Sequence, residues 1–349
     1  MILVIQGKVL HYRRAFLNAL SEIDDVTVVH SGSPSKRADD CFSEVILPVR
    51  KIGPFMLQRN LIRLIAQRKP KTVIAMFDVR WAISVRAMFK FDHIVNWVWW
   101  GLDKGKSVTA FTIKIALANR QNPVVFYNHV IRDEFSPYIY PKEKLFVANN
   151  TFHVSHRSES FRHPTKTRII NVGSLDARKQ NDVTIRALHT VLQEMDTEIR
   201  FTLIGVGAEM ENLRLLVEEL GMQDHVELVG NIEDPKLLEA YYADALASVS
   251  FGQAGLAVLQ SMAFGVPFVT KHNSISGGEK YNISDGVNGI LCDDEPKSLE
   301  DALRVLISSP DYARELGEAA YLHYSQKATI ENMVATFKKA IEYCESHNG

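Results

Sequence analysis

The residues with most chemistry to offer lie between positions 170 and 289. Residues 247–270 read as an apolar strand, a turn bearing Gly252 and Gly255, a short helix and a second apolar strand. The two glycines let the backbone come close to something at the turn. The helix beginning near Gly255 directs its free N–H groups, those of Gly255, Leu256 and Ala257, into the same space, which suits an anion such as a pyrophosphate. Upstream, a strand ends in Gly173-Ser174, and a loop follows with Arg178 and Lys179 next to a helix start. Fixed cations there would offset the charge that develops as a bond to a diphosphate leaving group breaks. A third strand ends in Gly205-Val206-Gly207, which alone marks only a tight turn.

Elements must hold these turns together. Apolar runs and helical patterns alternate along the whole chain, with strands expected at 2–6, 26–31, 43–49, 72–78, 94–100, 123–128 and 145–149, then at 168–173, 199–204, 226–229, 247–251, 267–271 and 289–292. Helices are expected at 13–22, 55–68, 80–91, 108–120 and 129–135, and at 180–195, 208–220, 235–243, 255–264, 298–308, 311–324 and 327–344. Runs such as residues 72–77 are apolar on both faces, as parallel strands covered by helices must be. The fold class is therefore α/β, with two doubly wound Rossmann-like domains facing a cleft. Residues 153–164 are polar, aperiodic and end in Pro164, so they read as a linker. The expected division is 1–160, 165–325 and a helical segment, 326–349, packing back on the first domain. Ligands of such sheets bind beyond the carboxyl ends of the strands, where every glycine turn named above falls.

The chain has 349 residues, 46% of them hydrophobic and 23% charged, the balance of a soluble globular protein. Its amino-terminal residues read as a strand rather than a signal peptide, and no apolar run reaches the ~20 residues that span a bilayer. Three cysteines, Cys41, Cys292 and Cys344, lack metal-ligand spacing, and no metal site is expected. These features suit a cytoplasmic protein with reduced thiols. The net charge of −1 hides an asymmetry: residues 1–164 carry 24 Lys+Arg against 13 Asp+Glu, and residues 165–349 carry 16 against 28. A basic half suits an anionic partner, and an anionic membrane surface on the inner face of the cell membrane is the expectation. No nucleic-acid-binding motif accompanies it.

Residues 247–270 resemble the donor-site motif of GT-B glycosyltransferases of the family 4 type, which transfer sugar from a nucleotide diphosphate. Residues 170–182 resemble the same family's Val-Gly-Arg/Ser-Leu…Lys-Gly segment. The resemblance puts Lys179 on the phosphate-binding lysine and Ser174 on the arginine beside Gly173, leaving Arg178 to take that arginine's role. Residues 201–230 resemble a further signature, which implies nucleobase contacts at Asn231 and Ile232. The family's Glu-x7-Glu pair is absent: its slots hold Gly252 and Gln260. Residues 276–289 are similar to the family's last donor segment, where Tyr281 occupies the glutamate slot and Glu279, two residues earlier, is the carboxylate available to reach the sugar. In the first half, residues 10–17 resemble a Tyr-Arg motif that includes Arg13. Residues 96–105 lie where relatives carry Trp-x-His-Gly, with Trp100 in the histidine slot. Gly7, Asp103 and His129 are further acceptor-side candidates.

The resemblance implies an acceptor-binding first domain and a nucleotide-sugar-binding second. It implies a UDP- or GDP-sugar as donor substrate, no cofactor, and a glycan or lipid-linked oligosaccharide as acceptor, in cell-surface polysaccharide synthesis. Retaining, metal-independent transfer would rest on positioning and phosphate stabilisation. Two alternatives follow from the missing glutamates: a non-catalytic GT-B subunit that binds a nucleotide-sugar or a partner enzyme, and a GT-B nucleotide-sugar epimerase.

Overall fold

Apolar runs without alternation become parallel strands covered on both faces. The structure, a computed structural model, describes residues 1–99, 102, 107–155 and 157–347. In chain order its first strands are β1 (Ile2–Ile5), β2 (Val26–His30), β3 (Ser43–Ile46), β4 (Val49–Ile52), β5 (Phe55–Gln58), β6 (Thr72–Met76), β7 (Ile94–Val98), β8 (Val124–Phe126) and β9 (Leu145–Val147). There follow β10 (Arg168–Val172), β11 (Arg200–Ile204), β12 (Val226–Gly230), β13 (Ala245–Val249), β14 (Phe268–Lys271) and β15 (Gly289–Cys292). The chain divides into two compact units, Met1–His153 with Thr329–Gly349, and Val154–Ala328.

The first unit holds a seven-stranded parallel sheet ordered β3-β2-β1-β6-β7-β8-β9. Strands β1, β2, β6, β7 and β8 are buried along their whole length. The helix Ile330–His347 belongs to this unit. Thr329 Oγ1 accepts the Asn332 N–H at 3.2 Å and starts the helix three residues later than the sequence reading placed it. Phe337, fully buried, sets its ring 4.9 Å from that of Phe16 and 5.0 Å from that of Trp97.

The second unit holds a six-stranded parallel sheet ordered β12-β11-β10-β13-β14-β15. Its order reverses between β10 and β13, where the chain leaves neighbouring strands toward opposite sides and opens a crevice at their carboxyl ends. The glycine turns after β10, β11 and β13 all lie at this end.

One expected helix is corrected. Residues 55–68 do not form a single helix: β5 takes 55–58 and the helix begins at Leu61. Strands β4 and β5 pair antiparallel as a separate hairpin, with Ile52 opposite Phe55. Gly53, at φ +54°, followed by Pro54, whose ring fixes a negative φ, gives the sign pattern of a type II′ turn. An isolated hairpin is marginal, and β5 is fastened by Met56 N–H to Arg80 O (2.7 Å) and Arg59 N–H to Pro48 O (2.8 Å).

Candidate donor site

Asp176 organises the loop after β10. Its carboxylate accepts from Arg178 N–H at 3.1 Å, from Arg178 Nε at 3.1 Å and Nη2 at 2.9 Å, and from Ser174 Oγ at 2.9 Å. The Arg178 guanidinium is the largest of the influences that hold the Asp176 carboxyl down at about 2. The cap winds Ala177–Lys179 into one 3₁₀ turn, and Gln180 then takes a left-handed conformation (φ 56°) before the helix Asn181–Glu194. The turn sends the Lys179 side chain back under the loop.

Lys179 is only 7% exposed. A Cβ built on Gly173 would lie 3.8 Å from its Nζ, so the ammonium sits against the end of β10. Desolvation pushes its pKa down, partly opposed by the negative charges of Asp176 and Glu279. No carboxylate lies within 4 Å of Nζ among the described residues. A buried cation without a close counter-ion is unfavourable in the free protein and ready for an anionic ligand.

Two neighbouring turns clasp this loop. On the β11 side, Gly205 (φ +139°) leaves room for Gly173: a Cβ there would fall 1.9 Å from Gly173 O. At Gly207 a Cβ would fall 2.1 Å from Leu175 O. Both glycines therefore serve contact between two loops of this chain. On the β13 side, Gly252 donates its N–H to Lys179 O at 3.1 Å, and a Cβ at Gly252 would stand 2.2 Å from Arg178 O. The Gly252 turn is held in turn by Ser250 Oγ to Gln253 O (2.7 Å), and by Ile275 N–H to Gly252 O and Ala254 N–H to Ile275 O, both 2.9 Å.

The helix after the turn runs Ala257–Ala263, two residues later than expected. Among the described residues no acceptor meets the N–H groups of Gly255, Leu256 or Ala257. Gln260 is half-buried on this helix. Glu279 is 6% exposed on the 3₁₀ turn Glu279–Asn282, after Gly278 at φ +121°. Ser276 Oγ donates toward its Oε2 at 3.4 Å and accepts from Gly278 and Lys280 N–H at 3.1 Å. The negative charge of Glu279 is the smallest of the influences on the Lys179 ammonium, after burial, Asp176 and Arg178. Asn231 and Ile232 follow β12 at the far side of the crevice; Asn231 is exposed and its Nδ2 donates to Glu233 at 3.2 Å.

Arg13 is 2% exposed, with its guanidinium carbon 4.1 Å from the ring centre of Trp97 and 4.5 Å from that of Trp99, also close to Tyr12 and Tyr127. Such an aromatic cage holds the guanidinium by cation–π attraction. Gly7 packs under Trp81, whose Cζ2 would lie 2.8 Å from an added Cβ. His129 is exposed at the start of a helix capped by Asn128 Oδ1, which accepts the Ile131 N–H at 2.9 Å. Trp100 and Asp103 lie outside the described residues. Sequence reasoning missed Asp176; its signal is an Asp two residues before an Arg, at the cap position of a turn.

The Asp176 clamp has a testable pH signature. Its folded pKa lies below the ordinary ~3.9, so its contribution to stability is complete above that value and is lost as pH falls through about 2. The difference in melting temperature between wild type and Asp176→Asn should be flat from neutral pH down to about 4 and close below it. A difference that closes between pH 7 and 5 would remove Asp176 from this role.

Residues 155–323 match the family of glycosyl transferases group 1. A D-inositol 3-phosphate glycosyltransferase of Corynebacterium jeikeium is 32% identical over 181 residues, which are 48% of this chain and 42% of that protein, so the chain spans less than half the length of this relative. The structure of Anabaena Alr3699/HepE in complex with UDP superposes with a TM-score of 0.73 at 16% identity, covering 98% of this chain and 99% of that one. A glycosyltransferase from Rickettsia africae superposes with a TM-score of 0.75 at 13% identity, covering 98% of both chains. Residues 155–323 thus match the group 1 glycosyl transferases, and the two doubly wound units are those of the GT-B fold.

Proposed function

We propose that the chain transfers a sugar from a UDP- or GDP-sugar to a glycan or lipid-linked acceptor, with retention of configuration, on the inner face of the cell membrane in cell-surface polysaccharide synthesis. The observation that carries this reading is Lys179: a nearly buried ammonium without a close counter-ion, at the switch point of a parallel sheet, whose backbone is tied by Gly252 to the turn that leads to three unused backbone N–H groups. The diphosphate would take the N–H groups of Gly255, Leu256 and Ala257 and the charge of Lys179, with Arg178 at the exposed side. As the glycosidic bond breaks, the leaving diphosphate gains charge that these groups stabilise, so this reading needs no metal ion. The acceptor hydroxyl attacks on the face from which the nucleotide departs, and the first unit holds the acceptor. Among the described residues no helix is long and apolar enough to cross a membrane.

Thermal shift with UDP-, GDP-, ADP- and CMP-sugars, followed by product mass on any hit, tests the reading. Gly252 supports a second one, a nucleotide-sugar-binding subunit without turnover, because no side chain fits at the first glutamate slot. A thermal shift with no product for any acceptor would favour it.

Glu279 is proposed to accept sugar hydroxyls in place of the missing glutamate. Glu279→Gln should lower turnover by roughly 10- to 150-fold, the scale of one charge-assisted hydrogen bond of ~1.5–3 kcal/mol, and leave the affinity for free nucleoside diphosphate nearly unchanged. Equal loss of both would assign Glu279 to the nucleotide or the fold.

A further inference from the structure

The hairpin β4–β5 stands out from the rest of the molecule in two respects. First, it is apolar and uncovered: Ile52 is 50% and Phe55 47% exposed, Val49 is also exposed, and all four residues of β4 face solvent. Second, it sits in a stretch of one charge sign. Between Glu44 and Asp78 the chain carries seven cations, Arg50, Lys51, Arg59, Arg63, Arg68, Lys69 and Lys71, and no acidic residue. Lys71 pairs with Glu345 at 3.0 Å. Arg50, Lys51, Arg59 and Arg63 have no carboxylate within 4 Å among the described residues.

Geometry joins the two properties. Ile52 and Phe55 are directly opposed, and Arg50 and Leu57, two residues on, share their face. Leu57 lines a cavity of about 500 Å³ together with Ile62, Arg63, Ala66, Ile83 and Lys90. The surface is thus an apolar tip running into an apolar hollow with cations at its rim. The base of the hairpin is fixed by the two backbone bonds already described and by Gln58 Nε2 to Ser31 Oγ at 3.0 Å, so the tip is presented without further ordering.

We propose that this hairpin docks the chain on an anionic phospholipid bilayer. Ile52 and Phe55 enter the interfacial layer, and Arg50, Lys51, Arg59 and Arg63 meet the lipid phosphates. The proposal rests on the reading above in placing the acceptor at a membrane. Charge complementarity selects the occupant. A second copy of the chain would bring the same cations face to face. A nucleic acid would use the cations and leave Ile52 and Phe55 in water. A bilayer with anionic headgroups satisfies both halves at once.

The test uses the full chain, sedimented with vesicles of phosphatidylcholine alone or of equal parts phosphatidylglycerol and phosphatidylcholine. Binding is expected only to the anionic vesicles and should fall steeply with salt. Ile52→Ser with Phe55→Ser, and separately Arg59→Glu with Arg63→Glu, should each weaken binding by roughly tenfold or more. Their side chains are exposed, so melting temperature and the thermal shift by nucleotide-sugars should stay at wild-type values. Absence of binding, equal binding to both vesicles, or wild-type binding by the serine pair overturns the proposal. So does a duplex oligonucleotide that binds more tightly than the vesicles and ignores the serine pair. Vesicle binding lost with the nucleotide-sugar shift intact fails the docking alone; vesicle binding without any nucleotide-sugar shift fails the transferase reading alone.

Discussion

Lys179→Ala is expected to lower kcat/KM for the nucleotide-sugar by about 30- to 1,000-fold, or ~2–4 kcal/mol of transition-state stabilisation, the scale of one preorganised donor to an oxyanion. The effect should be large because the ammonium is already desolvated, so its charge acts on the diphosphate with little screening by water. Stability should move the other way. Burial holds the folded pKa of Lys179 below its unfolded value, so the cationic form opposes folding at neutral pH. Lys179→Met, which keeps the packing of the stem, should therefore melt no lower than wild type while losing the same activity. Steady-state kinetics on both variants and their melting curves check this. Wild-type turnover in either would take Lys179 out of the site, and a large fall in melting temperature would make it a structural residue.

Gly252→Glu restores the family's first glutamate in sequence, yet it is expected to damage the protein. The new Cβ would stand 2.2 Å from Arg178 O and 2.7 Å from Gln180 Cγ, so the loop carrying Lys179 must move before any carboxylate can be placed. Gly252→Ala already creates the clash. Overpacking of this kind costs about 1–3 kcal/mol, or roughly 2–12 °C in melting temperature for a unit of this size. Donor affinity should fall with it, because the Gly252 N–H bond to Lys179 O is the direct tie between the two loops. Thermal denaturation and donor titration of both variants measure the effect. Higher activity in Gly252→Glu would show that loop 177–180 lies elsewhere in the working protein.

Much of this arrangement is legible in residue types, and the rest is lost for physical reasons. The parallel strands announce themselves because burial on both faces leaves no room for polar alternation, as in Val73-Ile74-Ala75. Lys179 is legible in its position, between a strand-ending glycine and a helix start, but its burial is not, because a cation there could equally sit in water. The glycines are half legible. Sequence shows that something approaches Gly252 closely, and at Gly205 and Gly207 only that the chain turns. Whether that is a ligand or another loop depends on which strands are neighbours, and that order is a long-range property of the sheet. The cage around Arg13 is illegible for the same reason, since it comes from Trp97, Trp99 and Tyr127, more than eighty residues away. The β4–β5 hairpin was hidden because Phe55, Met56 and Leu57 continue smoothly into the helical pattern of residues 61–68, and only the Gly53-Pro54 pair marks the reversal.

The helix Ile330–His347 completes the core of a unit whose sheet is finished by residue 147. During synthesis the 175 residues of the other unit, Val154–Ala328, emerge in between. At ~5–20 residues per second, the groove beside Phe16 and Trp97 waits on the order of 10–35 s for Phe337. In that interval the nascent chain shows water an apolar face that the mature protein never exposes. A ribosome stalled in the second unit therefore displays a half-finished first unit with its apolar groove open, while the second unit can close its own core as soon as its residues clear the exit tunnel.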